Sequence, residues 1–215
     1  MTKSEKSCRH EKLMGSQTPS DRIVPDYAYT DGPDAVKVLA VGKLIVDPWQ
    51  SEVLNDWMGR TEDDVWSAPT CGLSVPRQNG KTLDTSGRIA SGMILYAEWV
   101  IYTAHLQKTA TETFMELRGL FESRGLRKYV KEIKAALGRE QIILKNGGRV
   151  VFVARTRNGG RGLHGDCLVF DEAQELTSEQ QASFLPAISA SRNPQTIYLG
   201  TPPDENCTGT VFRKI

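Results

Sequence analysis

The stretch LSVPRQNGKT, residues 73–82, decides the fold. It ends in Gly80-Lys81-Thr82, as the phosphate-binding pattern G-x-x-x-x-G-K-[ST] does, but Val75 stands where that pattern has its first glycine. In such a loop a strand ends in a tight turn and leads into a helix, whose N-terminal N–H groups and dipole face a phosphate. The alternative is an ordinary strand, turn and helix that contains Gly-Lys-Thr by chance.

The segments on both sides of this stretch fit a phosphate-binding loop. CGLSV (71–75) is typical of a short strand, and TLDTSGRIASGMILYAEW (82–99) is typical of a helix. In the loop itself, Arg77 adds a second cation that can reach a γ-phosphate. Lys81 is expected on the β- and γ-phosphates, and the Thr82 hydroxyl is expected on Mg²⁺. A second motif has to decide between this interpretation and chance.

The second motif is CLVFDEAQE, residues 167–175, an apolar strand that delivers two adjacent carboxylates. In phosphate-loop NTPases an aspartate at such a strand tip holds Mg²⁺, here Asp171. A following glutamate, here Glu172, can act as the general base for water. A strand that merely ends in an acidic turn is the alternative, but it does not explain both motifs in one chain. Together the motifs predict a nucleotide site that takes ATP and Mg²⁺.

The remaining pattern alternates strands with helices, which predicts an α/β fold with three layers and a mainly parallel central sheet. Taken with the phosphate-loop and acidic-strand motifs, it indicates a P-loop NTPase core of the ASCE/RecA-like type. Ligands of such sheets lie at the carboxyl ends of the strands. Glycine-lysine at 80–81, the carboxylates at 171–172 and glycine-threonine at 200–201 all fall at that edge. Further helices are predicted over residues 34–45, 48–59, 106–125, 126–138 and 178–190, and further strands over residues 99–104, 141–154 (a hairpin) and 195–203.

Composition describes an ordinary globular chain: 215 residues, 39% hydrophobic, 25% charged, formal net charge +1. It has no apolar run of about 20 residues and no secretory signal, so neither a membrane span nor secretion is predicted. The four cysteines are scattered, which argues against zinc and for reduced thiols in a cytoplasmic protein, and the three histidines show no ligand spacing. Residues 1–32 are predicted to form an arm or linker, and residues 33–215 a single domain.

The charges are distributed unevenly. Residues 105–161 hold thirteen Lys/Arg and five Glu, whereas residues 162–191 hold five Asp/Glu and no Lys/Arg. A basic block beside an acidic one fits a polyanion partner next to a site for metal and nucleotide; solvated helix faces are the alternative. The candidate contacts to DNA phosphates are Lys128, Lys131, Lys134, Arg155 and Arg157.

The motifs VPRQNGKT, LVFDEAQE and LGTPP resemble the ATPase domain of tailed-bacteriophage terminase large subunits, the motors that pump DNA into capsids. The resemblance covers roughly residues 40–210. It implies that Gln50 reads adenine, that Arg161 reaches the nucleotide of a neighbouring subunit as an arginine finger, and that residues 200–202 couple hydrolysis to movement. Arg155 and Arg157 share the glycine-rich loop 155–165 with Arg161 and are alternative fingers. Because this loop ends at the strand that carries Asp171, we expect it to be anchored near the same edge of the sheet. The residues implied in nucleotide binding are Gln50, Arg77, Gln78, Asn79, Gly80, Lys81 and Thr82; those implied in the coupling motif are Gly200, Thr201 and Pro202.

The same resemblance implies partners: double-stranded DNA, further copies in a homo-oligomeric ring, the small terminase subunit and the portal of a procapsid, in the cytoplasm of an infected bacterial host. Members of the family continue into an RNase H-like nuclease, whereas this sequence stops at Ile215. We therefore expect an isolated ATPase domain without nuclease activity.

Two other function classes remain open at this stage. A helicase-type ATPase is favoured by the DEAQ sequence at 171–174 but carries Ser-Ala-Thr where this chain has Gly-Thr-Pro, and it needs a second motor domain. A non-catalytic nucleic-acid-binding assembly module is disfavoured by the intact Lys81, Thr82, Asp171 and Glu172.

Overall fold

The computed structural model describes residues 16–138, 140–156 and 159–215. Arg157, one of the predicted DNA contacts, and the first 15 residues of the predicted arm lie outside these ranges. Within the predicted arm, the Arg22 guanidinium donates to both carboxylate oxygens of Asp56, at 2.7 and 2.9 Å. Within the ranges described, no helix has both the length and the apolar character that a bilayer span requires.

The secondary structure follows the predicted alternation. The helices are α1 (Gly32–Val41), α2 (Pro48–Trp57), α3 (Lys81–Tyr96), α4 (Gln107–Glu122) and α5 (Ser178–Phe184). The strands are β1 (Tyr29–Thr30), β2 (Gly59–Arg60), β3 (Thr70–Ser74), β4 (Trp99–Ala104), β5 (Val130–Lys134), β6 (Gln141–Leu144), β7 (Arg149–Ala154), β8 (Cys167–Phe170) and β9 (Gln195–Gly200).

Seven strands form the central sheet in the order β3-β9-β8-β4-β7-β6-β5. The neighbours from β3 to β7 pair in parallel, and β6 pairs antiparallel with both β7 and β5. The mainly parallel sheet is therefore confirmed, as is the 141–154 hairpin. Because β3, β8 and β9 run in the same direction, the three sequence motifs that follow them lie on one edge of the sheet, which we call the carboxyl rim.

The two faces of the sheet are covered differently. On β4, Val100 and Tyr102 pack into the cluster that holds the apolar residues of α1 to α4, whereas Ile101 packs into the cluster that holds Phe184 of α5. This alternation is the period-two pattern of a strand that is buried on both faces. The result is a three-layer arrangement, with four helices on one face and α5 with irregular segments on the other.

The helix predicted over residues 126–138 is wrong. A short 3-10 turn is followed by β5, which pairs with β6 at the edge of the sheet and buries Val130. The spacing of Val130 and Ile133 fits a helix, but a register shift in β5 between Val130 and Glu132 puts the same two residues on one face of the strand. The three lysines of this segment are exposed, as is common on edge strands, where charge discourages pairing with other chains.

At the opposite edge of the sheet, the amino end, α3 and β4 are joined by a buried ion pair. Arg88 has no exposed surface, and its guanidinium donates to both Glu98 carboxylate oxygens at 2.6 and 3.0 Å. Its Nε donates to Gln195 Oε1 at 2.9 Å. Burial alone would lower the pKa of Arg88, but the charge and hydrogen bonds of Glu98 raise it overall. Gly92 makes room for the pair, because a Cβ there would lie 1.9 Å from Glu98 Oε2.

Candidate functional site

The loop between β3 and α3, which we call the phosphate loop after its sequence pattern, leads directly into the N-terminus of α3. Gly80 is the residue before α3 and has φ = 78°, a left-handed conformation that glycine adopts without strain. A Cβ at this position would also lie 2.8 Å from Gln50 Nε2. The outer residues Arg77, Gln78 and Asn79 are exposed, and Gln78 also has a positive φ of 62°. The N-terminal N–H groups of α3 therefore open onto a solvent-facing loop at the carboxyl rim.

Lys81, the first residue of α3, lies inside this loop. Its Nζ donates to the carbonyl oxygens of Val75 and Pro76, each at 3.0 Å. Burial lowers the pKa of Lys81, and the negative charge of Asp171 acts in the opposite direction. The loop lysine and the aspartate of the acidic strand are thus close enough to affect each other, although 90 residues separate them in the chain. Thr82 follows Lys81 on the first turn and is half-buried.

Gln50 lies in the first turn of α2 and is 4% exposed. Its Oε1 accepts from the Asp47 N–H at 2.9 Å, and its Nε2 donates to the Gly80 carbonyl at 3.1 Å. The side-chain amide therefore braces the phosphate loop against α2. The adenine contact implied by the resemblance stays a prediction, since it would have to use amide positions beyond these two bonds.

Behind the loop, Asp84 of α3 is fully buried. Neither of its carboxylate oxygens has a hydrogen-bond partner among the described residues. Burial raises the pKa of Asp84 to about 8, although the nearby Gln50 amide acts to lower it. Burial therefore favours the protonated form of this carboxyl group over the charged one.

Asp171 follows β8 and points toward β4. Its carboxylate accepts from the Tyr102 hydroxyl and, at 2.7 Å, from the Glu172 N–H. The same hydroxyl is 2.9 Å from Thr113 Oγ1 on α4. Burial, together with the charge of Asp171, raises the pKa of Tyr102, so the phenol remains a donor. Tyr102 was not predicted, although its polar hydroxyl in the otherwise apolar run WVIY was a usable signal.

Glu172 has a backbone conformation that is unusual for its residue type. Its φ is 50° and its ψ is 45°, the left-handed region that non-glycine residues rarely occupy. Its Oε1 is 3.4 Å from Thr109 Oγ1, and its buried Oε2 has no partner among the described residues. Strained backbone and unsatisfied polar atoms are concentrated at functional sites. The geometry leaves one carboxylate oxygen free to accept a proton.

Arg155 does not lie on a surface that could meet DNA. It is 5% exposed, and its guanidinium donates to the carbonyl oxygens of Thr103, Asp171 and Glu172. Burial lowers its pKa to about 10, and the negative charges of Asp171 and Glu172 act in the opposite direction. The predicted contact of Arg155 with DNA phosphates does not fit this position, because its side chain is committed to the interior.

The glycine-rich segment 155–165 was expected to be anchored near the carboxyl rim, and this holds for its beginning only. It connects two parallel strands, so it must cross from the carboxyl end of β7 to the amino end of β8. Near its end, the Gly165 N–H donates to Ala187 O at 3.0 Å and the Asp166 N–H donates to Trp99 O at 2.7 Å, at the start of β4. Arg161 is exposed on this crossover, beside a shallow groove that Ser183 also lines.

The motif at 200–202 connects the other two. Gly200 ends β9, and its carbonyl accepts from the Val75 N–H of the phosphate loop at 3.2 Å. The Thr201 N–H donates to the side chain of Gln174 at 3.2 Å, directly after the acidic strand. Pro202 is exposed. A structural change at the tip of β3 or β8 can therefore reach this segment through one hydrogen bond. Gln174, which accepts one of these bonds, was not predicted from the sequence.

The three predicted DNA-contacting lysines, Lys128, Lys131 and Lys134, are exposed at the β5 end of the sheet. The phosphate loop follows β3, which lies at the other end of the strand order. The structure thus brings together residues 77–82, 171–172 and 200–202 with Gln50, and leaves Arg161 and these lysines on separate surfaces.

Comparison with known proteins gave matches in structure only. No model of a known protein family matches the sequence, and no curated protein sequence matches it. Among solved structures, the chain is similar to the large terminase of bacteriophage HK97, with a TM-score of 0.67 and 16% identity over 80% of this chain. The match spans 38% of the HK97 protein.

Two further similar structures come from thermophilic phages. The large terminase ATPase domain of Thermus phage P74-26 gives a TM-score of 0.58 and 16% identity over 86% of this chain and 72% of that domain. The large terminase of a second thermophilic bacteriophage, in complex with ADP, gives a TM-score of 0.52 and 14% identity over 80% of this chain and 38% of that protein. The resemblance predicted from the motifs is confirmed at the level of the fold: the chain has the phosphate-loop NTPase fold of bacteriophage large terminase ATPase domains.

Proposed function

We propose that this chain is the ATP-hydrolysing motor domain of a viral terminase large subunit, which drives double-stranded DNA into a procapsid. The observation that carries the proposal is the convergence of the loop with the acidic strand tip. The two motifs follow β3 and β8, which are separated only by β9, and the Lys81 ammonium is within electrostatic reach of Asp171. Structures of a thermophilic bacteriophage large terminase with ADP and with ATP-gamma-S are among those that the chain resembles.

In this proposal the loop N–H groups and Lys81 hold the β- and γ-phosphates, and Arg77, exposed on the same loop, contacts the γ-phosphate. Gln50 would contact adenine in addition to bracing the loop. Gln78, Asn79 and Gly80 supply the remaining loop contacts.

The residues also fit Mg²⁺. The available donors at the loop and strand tip are the Thr82 hydroxyl and the Asp171 carboxylate, both hard oxygen ligands. No cluster of three or more His, Cys, Asp or Glu that could hold a metal occurs in the described ranges. A site with one or two protein oxygens suits Mg²⁺, which keeps waters and binds substrate phosphates. When bound, the ion would neutralise charge that develops on the phosphates.

Glu172 acts as the general base on the attacking water. Its Oε2 is free of hydrogen bonds within the described part of the chain, and Asp171 beside it is held by Tyr102. The two carboxylates therefore differ in function: one is fixed by donors and orients the metal, while the other can accept the water's proton.

Arg161 completes the site of a neighbouring subunit. It is exposed on the crossover and lies away from its own loop, which suits an arginine that acts between copies in a ring. Hydrolysis would be coupled to movement through Gly200, Thr201 and Pro202, since this segment bonds to both the loop and the acidic turn.

The remaining parts of the proposal concern partners. Lys128, Lys131 and Lys134 would contact DNA phosphates. By the resemblance, the small terminase subunit and the portal would be the protein partners, in the cytoplasm of an infected bacterium. We propose no nuclease activity for these residues.

The test is steady-state ATP turnover without nucleic acid, with duplex DNA and with single-stranded DNA, at protein concentrations up to those that form rings. A packaging motor predicts turnover that duplex DNA stimulates. Stimulation by single strands alone would favour the helicase-type alternative. Nucleotide binding without turnover in confirmed rings would favour an assembly module.

A further inference from the structure

We infer that Arg155 is a positioning residue for hydrolysis: its buried guanidinium bridges the carboxyl ends of β4 and β8 and holds Glu172 in its left-handed backbone conformation. The inference rests on the proposed function and assigns Arg155 to the same site. It replaces the DNA contact expected from the sequence.

The path of the side chain is the first observation. The Arg155 N–H continues the pairing of β7 with β4 by donating to Ala104 O at 2.9 Å. From there the guanidinium crosses the tip of β4, where its NH1 donates to Thr103 O at 3.2 Å, and reaches β8 beyond it. Thr103 O also accepts the Asp171 N–H at 2.8 Å, so this one carbonyl fixes both the arginine and the strand that it bridges.

The second observation is what the guanidinium binds on β8. NH1 donates to Asp171 O, and NH2 donates to Glu172 O at 3.0 Å. These are consecutive main-chain carbonyls, and between them lies the φ of Glu172, which is 50°. In a non-glycine residue this conformation costs free energy, which contacts with the surroundings can offset. Two donors from one planar group, set at a fixed distance, restrict that peptide unit more than two independent bonds would.

The third observation is the direction in which this geometry sends the Glu172 side chain. With the backbone turned into the left-handed region, the Glu172 N–H meets Asp171 Oδ1 at 2.7 Å, and the Glu172 carboxylate separates from that of Asp171 to meet Thr109. Two adjacent residues at a strand tip can in this way take different tasks. Loss of the bridge would release the Glu172 backbone and with it the position of the base.

The test uses Arg155→Lys, which keeps the positive charge but cannot donate to both carbonyls in a fixed fork. Hydrogen bonds that involve a charged group are stronger than neutral ones, so the loss of this fork should lower kcat by about tenfold to a hundredfold. KM and ATP affinity should change less than threefold, because the residue touches no predicted nucleotide contact. Arg149→Met is the matched control: Arg149 begins the same strand at the opposite end, where it stacks on Trp99, and its loss should leave kcat unchanged.

A double-mutant cycle separates positioning from general destabilisation. If Arg155 acts through Glu172, then Arg155→Lys should cause no further loss of single-turnover rate in a Glu172→Gln background. If the two substitutions instead reduced the single-turnover rate independently, the inference would be overturned. A wild-type kcat in Arg155→Lys would overturn it as well. A fall in kcat that vanishes after correction for the folded fraction would also overturn it.

Amide hydrogen exchange provides a readout that needs no turnover. Residues 172–176 should exchange faster in Arg155→Met and at the wild-type rate in Arg149→Met, and equal rates in both variants would contradict the inference. If the wild-type protein has no ATPase activity under any condition, the proposed function fails, whereas the exchange result still decides whether Arg155 holds this turn.

Discussion

Arg88 and Arg155 are buried at opposite ends of the sheet, and their surroundings treat the two guanidinium groups in opposite ways. At the amino end, Arg88 meets both oxygens of Glu98 and the Gln195 amide, so charge and hydrogen-bonding groups are matched. At the carboxyl rim, Arg155 is held by three carbonyl oxygens, and its Nε has no partner in the described ranges. Accordingly, the pKa of Arg88 is raised despite its burial, while burial lowers that of Arg155 to about 10.

The two arginines thus separate burial that serves stability from burial that serves function. At the amino end, the charges of Arg88 and Glu98 are paired before any ligand arrives. At the rim, the Glu172 carboxylate has one oxygen with no partner among the described residues, and the Glu172 backbone is left-handed. Such costs persist where the surroundings over-determine them, and they are concentrated at sites of function. Changes at the rim should therefore act on chemistry, and changes at the amino end on stability.

The largest effect is expected from Arg161, which belongs to neither end. Arg161→Ala should leave ATP affinity nearly intact and reduce turnover by roughly 10³–10⁵, the range for a trans-acting arginine. Mixed with Glu172→Gln, it should regain activity, because a mixed ring can pair an intact arginine with an intact base. The measurement is turnover against mixing ratio, with mixed assembly confirmed. No recovery at any ratio would leave Arg161 acting within its own subunit or on DNA.

Next in size is the base at the rim. Glu172→Gln should keep ATP binding and lose roughly 10²–10⁴ in turnover, because the isosteric amide cannot accept a proton. Lys81→Ala should instead weaken nucleotide binding directly, so the two variants differ in kind. Both should unfold near the wild-type midpoint. Wild-type turnover in Glu172→Gln would show that the base has been assigned to the wrong residue.

At the amino end, Glu98→Ala should lower the free energy of unfolding by about 3–5 kcal/mol, because it leaves Arg88 charged and buried without its partner. Turnover per folded molecule should not change. Glu122→Ala is the control: its pair with Arg118 is exposed and should be worth less than about 1 kcal/mol. Urea denaturation measures both, and equal small losses would remove the distinction between the two ends.

The lysines of the β5 edge test whether DNA binds away from both the carboxyl rim and the amino end of the sheet. Reversing the charge of Lys128, Lys131 and Lys134 should flatten the dependence of log affinity on log salt by about 0.9 for each lost phosphate contact. Affinity should fall equally for unrelated duplex sequences. Fluorescence anisotropy between low and moderate salt measures the slope. An unchanged slope would place the DNA path on another surface.

The smallest effect concerns Asp84, behind the phosphate loop. Its pKa is raised from 3.8 to about 8 in the folded protein. The free energy of unfolding should therefore fall as the pH rises from about 4 to about 8, because the unfolded chain loses the Asp84 proton and the folded chain keeps it. Asp84→Asn should remove this dependence and, at pH 8, stabilise the magnesium-free protein by about 1–2 kcal/mol relative to wild type; the full linkage of about 1.4 kcal/mol per pH unit sets the upper limit. Urea denaturation at pH 5 and pH 8 measures it, with exposed Asp34→Asn as control. A wild-type pH dependence in Asp84→Asn would contradict the prediction.

The alternating elements, the strand directions and the rim location of three motifs followed from the sequence, because they depend on local patterns: apolar runs of strand length, glycine-lysine-threonine before a helix, and acidic residues after a strand. The basic segment 126–138 was mistaken for a helix because its apolar spacing is helical, and only the register shift in β5 accommodates that spacing in a strand. The anchoring of Arg161 was misplaced because a loop after one parallel strand must travel to the opposite edge before the next begins.

What the sequence determined by itself is therefore the fold class and the residue types at the rim. Only the tertiary structure decided how charged residues are used: it made Arg155 an internal bridge, set Gln50 against Gly80, placed Tyr102 on Asp171 and gave Glu172 a positive φ. These contacts join residues from different strands and helices, at sequence separations of 17, 30 and 69 positions for the three hydrogen bonds. The sequence alone does not show whether an arginine's guanidinium faces DNA or three carbonyl groups, because the packing around it determines which.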